Sequence, residues 1–313
     1  MTSPSLRTAA LRIGVSVGLV VGLLAFLPVR TLMAAFAQVS PRVWVFAVIV
    51  HVLFHLLAAF KWRILMGRHA GIPLTAVVRA HFAGVIGNLG PLGLIGGDMV
   101  RATLAVRWSS RPAVVALASV IDRLVDATAL MLLAMAGVLW VGARSAAVRP
   151  VLLASFSLAA LGVAILGCAR WILRKSARDG FAGQLIQALD VLVQRPVLVG
   201  GTLCFSVLLQ GAILAFIVFL GGVVGVNCMV GAWLIAWPTA KLIGLLPVSV
   251  AGIGVRELAL IALLRPFGGA AGPVMATGLL WDAVVVASSL IGWLTLGLAR
   301  NVEPSDRCQL QAL

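Results

Sequence analysis

Pro91-Leu92-Gly93-Leu94-Ile95-Gly96-Gly97-Asp98-Met99-Val100-Arg101 and Pro247-Val248-Ser249-Val250-Ala251-Gly252-Ile253-Gly254-Val255-Arg256-Glu257 are the stretches that decide how this chain is read. Pro91 and Pro247 are 247 − 91 = 156 residues apart, and Gly96 and Gly252 share that spacing. Arg101 falls opposite Glu257, a position that keeps a charge and reverses its sign. In each stretch the proline removes a backbone donor and the glycines tolerate conformations other residues avoid. Such irregular backbone is tolerated at membrane depth only inside protein or beside a wet cavity. Interrupted hydrophobic segments at matching places in two halves point to a transporter's binding site.

The surroundings of both stretches are lipid-soluble. Hydrophobic residues make up 62 % of the 313-residue chain and charged residues 11 %, with a mean hydropathy of +1.14. Those fractions lie far from a soluble domain and imply a polytopic helical membrane protein. The apolar runs are too long for transmembrane β-strands and lack their alternation. The net charge of +15 does not imply nucleic acid, because the basic residues are spread among short segments rather than gathered on one soluble face. Cys168, Cys204, Cys228 and Cys308 form no paired spacing, so neither a metal site nor a cofactor is expected. Trp44, Trp62, Trp140 and Trp171 fall at the ends of apolar runs, as interfacial anchors do.

Six spans are expected, at about 13–29, 43–60, 121–142, 151–171, 198–222 and 274–299, each near the ~20 residues that cross a bilayer. Between them lie two broken regions, 61–120 and 226–273, too charged and glycine-rich for ordinary spans. Arg7 and Arg12 before an apolar run, with Ala35-Phe36-Ala37 beyond, resemble a secretory signal. The spacer is long for cleavage, so an uncleaved first helix is expected. With the N-terminus inside, the inside segments hold Arg7, Arg12, Lys61, Arg63, Arg68, Arg79, Arg101, Arg107, Arg111, Arg170, Arg174, Lys175, Arg178, Arg195, Arg300 and Arg307. The outside segments keep Arg30, Arg42, Arg144, Arg149, Lys241, Arg256 and Arg265. This bias predicts an N-in/C-in cytoplasmic-membrane protein. One membrane domain over 1–300 is expected, with repeats at about 43–142 and 198–299 and a short cytoplasmic tail, 301–313.

The 156-residue offset also lays Asp126 on Asp282 and the second span on the fifth. If each broken region returns to its own side, the copies have opposite orientation, an inverted repeat with two re-entrant or broken-helix segments. Pro91, Gly96, Gly97, Pro247, Gly252 and Gly254 form the breaks. Interfacial loops or tight helix packing at the glycines would explain the same residues more plainly. Asp98, Asp122, Asp126, Glu257 and Asp282 all lie in or beside apolar segments, where ionisable groups face a polar interior and pair. Asp122, Arg123 and Asp126 share a helical turn and serve ion pairing or charge coupling. Arg256 and Glu257 are adjacent and would diverge on a helix, so their partners are expected elsewhere, while Asp282 stands alone on its span. Arg101 and Arg256, beside the breaks, suit a phosphate oxygen pair because a guanidinium fork binds two oxygens at once. Lys241 is a further phosphate candidate, and His81 a proton-relay candidate. His51 and His55, four residues apart, could hold a metal but lack a third ligand nearby, so a packed or hydrogen-bonded pair is expected.

The run Gly84…Asn88…Pro91…Gly96-Gly97-Asp98…Arg101, then Asp122-Arg123-Leu124, together with Leu246-Pro247…Gly252-Ile253-Gly254-Val255-Arg256-Glu257, resembles the transmembrane domain of lysylphosphatidylglycerol synthases and their stand-alone flippase-like relatives. In the full synthases a soluble aminoacyl-transferase domain follows. No such stretch follows the last span here, so the resemblance implies lipid translocation without aminoacylation. Asp98, Arg101, Arg123, Arg256 and Glu257 match the family's motif positions. The expected function is a flippase or transporter for an amphipathic lipid, whether phospholipid, hopanoid or polyprenyl-linked glycolipid. Membrane lipids are the expected partners, with a lipid-synthesis enzyme as another. Two other readings stay open: an intramembrane lipid-modifying enzyme, and a non-transporting partner of a synthesis enzyme. The residues fix neither the lipid nor the oligomeric state.

Overall fold

In a computed structural model of the chain, residues 33–34, 37–67, 70–88, 93–142, 167, 195–244 and 254–298 are described. The expected span 13–29, the span 151–171 apart from residue 167, the tail 301–313, and Pro91, Pro247 and Gly252 lie outside them. The described residues form eight α-helices and no strand. They are α1 (Pro41–Met66), α2 (Leu74–Gly87), α3 (Gly93–Arg107), α4 (Pro112–Val141), α5 (Pro196–Val223), α6 (Val230–Ile243), α7 (Val255–Leu264) and α8 (Ala271–Leu298).

Proline opens α1, α4 and α5 in the first turn, where its missing N–H costs nothing and its fixed φ suits a helix. Ser40 caps α1 by accepting the Val43 N–H at 3.4 Å. Helices α1, α4, α5 and α8 are each long and apolar enough to cross a membrane. On α1, Val45, Phe46, Ile49, Leu53, Leu56 and Phe60 form an exposed stripe, whereas His51, Lys61 and Trp62 are buried. That is a soluble helix turned inside out: the apolar stripe faces the lipid and the polar groups face the protein.

The two halves repeat a long–short–short–long order. Moved by the same 156 residues, Leu74–Gly87 lands on Val230–Ile243, end on end (230 − 74 = 156). Helices α1 and α5, the first of each half, run antiparallel. Phe46 meets Phe219 at 5.8 Å between ring centroids and Phe54 meets Phe216 at 5.8 Å. Further along, Lys61 Nζ reaches Ser206 Oγ at 2.8 Å. Equivalent helices pointing opposite ways is the geometry an inverted repeat requires. Each half keeps its own apolar core, one around Trp62, Val77, Val115 and Ile121, the other around Ile217, Trp233, Leu260 and Met275. The halves interlock where α4 packs on α6 and, correspondingly, α8 on α2. Gly137 admits Leu234 and Ile235 there, and Gly231 admits Trp140.

The broken regions are more helical than their charge suggested. α1 continues through Lys61 to Met66, and α4 begins at Pro112 rather than near 121. The helices need not stop at these charges because the charges are paired inside the bundle. Of the basic residues counted as loop charges, Lys61, Arg101 and Arg256 are buried and Lys241 lines the interior cavity, so these carry no information on sidedness. Trp62 is likewise no interfacial anchor: it is 0 % exposed, with the Arg101 guanidinium 4.4 Å above its ring.

Candidate functional site

Helices α2 and α3 form a hairpin whose backbones nearly touch. A Cβ on Gly97 would collide with Asn88 Oδ1 and the Gly84 carbonyl, and one on Gly84 would meet the Gly97 carbonyl at 2.8 Å. The glycines thus bring α3 close enough for Asp98 and Arg101 to reach the bundle interior. Gly96 is buried on the same helix.

Around this hairpin lies the first charge cluster. Arg101 donates from Nη1 to Asp122 Oδ2 at 3.0 Å, and its Nη2 is 3.4 Å from Asp98 Oδ1. Asp98 is held more directly by Arg123, at 3.0 Å from Nε and 2.8 Å from Nη2. Lys61, absent from the sequence-based candidates, neutralises both α4 carboxylates: Nζ is 3.1 Å from Asp122 and bonded to Asp126. Ser206 accepts from Lys61 and donates to Asp126 at 2.6 Å. A signal for Lys61 existed, since apolar spacing runs on through Trp62, Leu65 and Met66.

The second cluster corrects two expectations. Arg256 and Glu257 bond each other, with Arg256 Nε 3.1 Å and Nη2 2.5 Å from Glu257 Oε1. The cause is local. Glu257 sits in the first turn of α7 and curls back so that Oε2 accepts the Gly254 N–H at 2.6 Å, with Gly254 at φ +86°. That leaves Oε1 beside Arg256. Asp282 is not alone either, because Arg256 Nη2 donates to its Oδ1 at 2.6 Å. Glu257 is 0 % exposed, in space left by Gly278. Lys241 donates to Gln210 Oε1 at 2.9 Å.

A cavity of about 220 Å³ joins the clusters. Every one of the eight helices contributes to its wall. Of the expected site residues, Asp98, Arg101, Asp122, Arg123, Asp126, Lys241, Arg256, Asp282, His81 and Gly97 line it, while Glu257 stands behind Arg256. His51, His55 and Gln210, outside the expected binding set, line it too. His51 and His55 form a packed, hydrogen-bonded group, with His51 on Ser288 at 2.7 Å and His55 on His81 at 3.2 Å. Among the described residues, no group of three or more His, Cys, Asp or Glu side chains could hold a metal.

The two arginines differ in what they offer the cavity. Arg256 spends both Nε and Nη2 on Glu257 and Asp282. Arg101 is 2 % exposed, and its Nε and Nη2 have no hydrogen-bond partner.

Residues 10–292 match the family described as the lysylphosphatidylglycerol synthase TM region. The chain belongs to that family. No curated protein matches it. Membership in the lysylphosphatidylglycerol synthase TM-region family and four helices of membrane length together make this a multi-pass membrane protein.

Proposed function

We propose that this protein moves an amphipathic lipid across the cytoplasmic membrane, and that it does so without chemistry on the lipid. An anionic headgroup enters the cavity while the acyl chains stay in the bilayer. The observation that carries this reading is the Nε–Nη2 edge of Arg101, which makes no hydrogen bond and has only the 3.4 Å ion contact of Nη2 with Asp98. That edge is the side of a guanidinium that clasps two oxygens of a phosphate or carboxylate. A buried donor left unpaired costs roughly 1–3 kcal/mol, more for a charged group, so native structures rarely keep one without a use. Lys241, held by a neutral amide, supplies a second positive charge in the same cavity. The cavity falls below the ~300–1,000 Å³ typical of drug-sized ligands and suits a headgroup alone.

Reconstituted vesicles carrying a fluorescent phospholipid test the reading by the rate at which label reaches the opposite leaflet. Arg101→Ala loses most of the transport, about tenfold or more, while remaining folded by thermal unfolding in detergent. Arg101→Lys, which keeps charge but not the fork, recovers a minor part. Unimpaired transport by folded Arg101→Ala overturns the assignment. A chemically altered lipid with unchanged sidedness makes the protein an enzyme instead.

A further inference from the structure

Three histidines of the cavity wall have no role in the reading above. Ser288 donates its hydroxyl proton to the Val285 carbonyl at 2.9 Å. It therefore accepts from His51 Nδ1 at 2.7 Å, which makes that nitrogen the protonated one. The His51 ring meets the His55 ring edge-on, 4.5 Å between centroids. His55 Nδ1 in turn lies 3.2 Å from His81 Nε2. Two neutral imidazoles so placed share one proton between facing nitrogens. Their outer nitrogens, His55 Nε2 and His81 Nδ1, are buried without a hydrogen-bond partner. Whichever ring donates, one outer nitrogen remains a bare acceptor. The pair has a vacancy for a proton.

Charge balance gives that vacancy a purpose. Among the described residues, the basic groups in and around the cavity, Lys61, Arg101, Arg123, Lys241 and Arg256, are matched in number by the carboxylates Asp98, Asp122, Asp126, Glu257 and Asp282, so their charges already balance. An entering anionic headgroup adds an uncompensated negative charge in a low-dielectric interior, where such a charge is costly. We propose that the His55–His81 pair takes up one proton together with the anionic headgroup, so that lipid and proton fill the cavity as a neutral unit and translocation is coupled to proton movement. This rests on the headgroup reading above.

The charged and titratable groups facing the pair come from α1, α3, α4, α6, α7 and α8, while α5 contributes the neutral Gln210. They are His51 and Lys61 of α1, Asp98 and Arg101 of α3, and Asp122, Arg123 and Asp126 of α4. Lys241 of α6, Arg256 of α7 and Asp282 of α8 complete the set. Asp282 Oδ2 has no hydrogen-bond partner and is the competing proton site.

Calorimetric titration of the full chain in detergent tests the coupling. The probe is dihexanoyl phosphatidylglycerol, a monoanionic phosphodiester with no titration of its own between pH 6 and 8. Buffers of different ionisation enthalpy then report the protons taken up. We expect about one proton bound per lipid, with affinity falling by up to tenfold per pH unit as the pair loses its proton. His81→Gln and His55→Gln abolish the uptake, and Asp282→Asn keeps it. Wild-type binding without uptake overturns the coupling and leaves the headgroup reading intact. Uptake lost in Asp282→Asn but kept in both histidine variants overturns the assignment to the pair. Failure of the wild type to bind the probe at any pH overturns the headgroup reading, and the coupling with it. The wild-type measurement decides the matter even where a variant does not fold.

Discussion

In the first half Arg101 of α3 donates to Asp122 of α4, and at the matching places in the second half stand Glu257 of α7 and Gly278 of α8. The carboxylate has moved across one helix–helix contact. In the first half it projects from the long helix. In the second it projects from the short helix into room left by a glycine, since a Cβ on Gly278 would lie 2.7 Å from Glu257 Cγ. The cation has moved by one position, from Arg101 to Arg256, whose own counterpart is Val100. Asp126 and Asp282 keep their places but differ in partner, Lys61 from α1 against Arg256 from α7. The sign reversal between Arg101 and Glu257 is thus one half of a compensated exchange. Its consequence is asymmetry: the second cluster hydrogen-bonds its arginine through Nε and Nη2, while the first leaves the same two nitrogens without a hydrogen bond. Repeated backbone can therefore carry two differently paired charge clusters.

The largest effect that would break this comparison is expected at Lys61, whose counterpart is the buried Ile217. Lys61→Ile makes the first half resemble the second while leaving Asp122 and Asp126 short of a cation. Breaking a buried pair costs about 3–5 kcal/mol, so thermal unfolding in detergent should show a severe loss of stability. A loss under ~1 kcal/mol would mean that the halves do not differ energetically here. A middle effect is expected at Gly97, which the offset lays on Ile253. Gly97→Ala forces α2 and α3 apart at about the 1–3 kcal/mol of an overpacked core, and it should slow lipid transport by displacing Arg101. Unchanged melting and transport would show that the hairpin tolerates separation. The smallest effect concerns Gly278. Gly278→Ala should cost about 1 kcal/mol, because the colliding atoms belong to a side chain that can shift. In a Glu257→Ala background that cost should vanish, and a double-mutant cycle by thermal unfolding measures the coupling. A coupling near zero would separate Glu257 from the space Gly278 leaves.

Much of this was legible in the residues. Pro91 and Pro247 carried the offset that α2 and α6 obey, though neither proline lies among the described residues. Asp98, Arg101, Asp122, Arg123, Asp126, Lys241, Arg256 and Asp282 were readable as one site because charge inside an apolar chain must be enclosed. Lys61 was not picked out, because a lysine at the edge of an apolar run looks like the end of a span, and only the apolar spacing continuing through Trp62, Leu65 and Met66 argues otherwise. Arg256 and Glu257 misled for a related reason: adjacency on a helix separates Cβ directions, but the fold-back of Glu257 to Gly254 overrides that. His51 and His55 showed their shared face by spacing, whereas the contact with His81 depends on how the next helix packs and the anchor at Ser288 joins helices far apart in sequence.

By itself the sequence determined the solvent, the helical class and the doubling of the chain. Those follow from composition and from backbone that cannot be left unsatisfied in lipid. Only the tertiary structure decided which charge answers which, since pairing depends on distances of a few ångströms between helices that the sequence does not order. It alone shows that Nε and Nη2 of Arg256 are hydrogen-bonded and that the same nitrogens of Arg101 are not. Two arginines equal in sequence became different once their neighbours were in place.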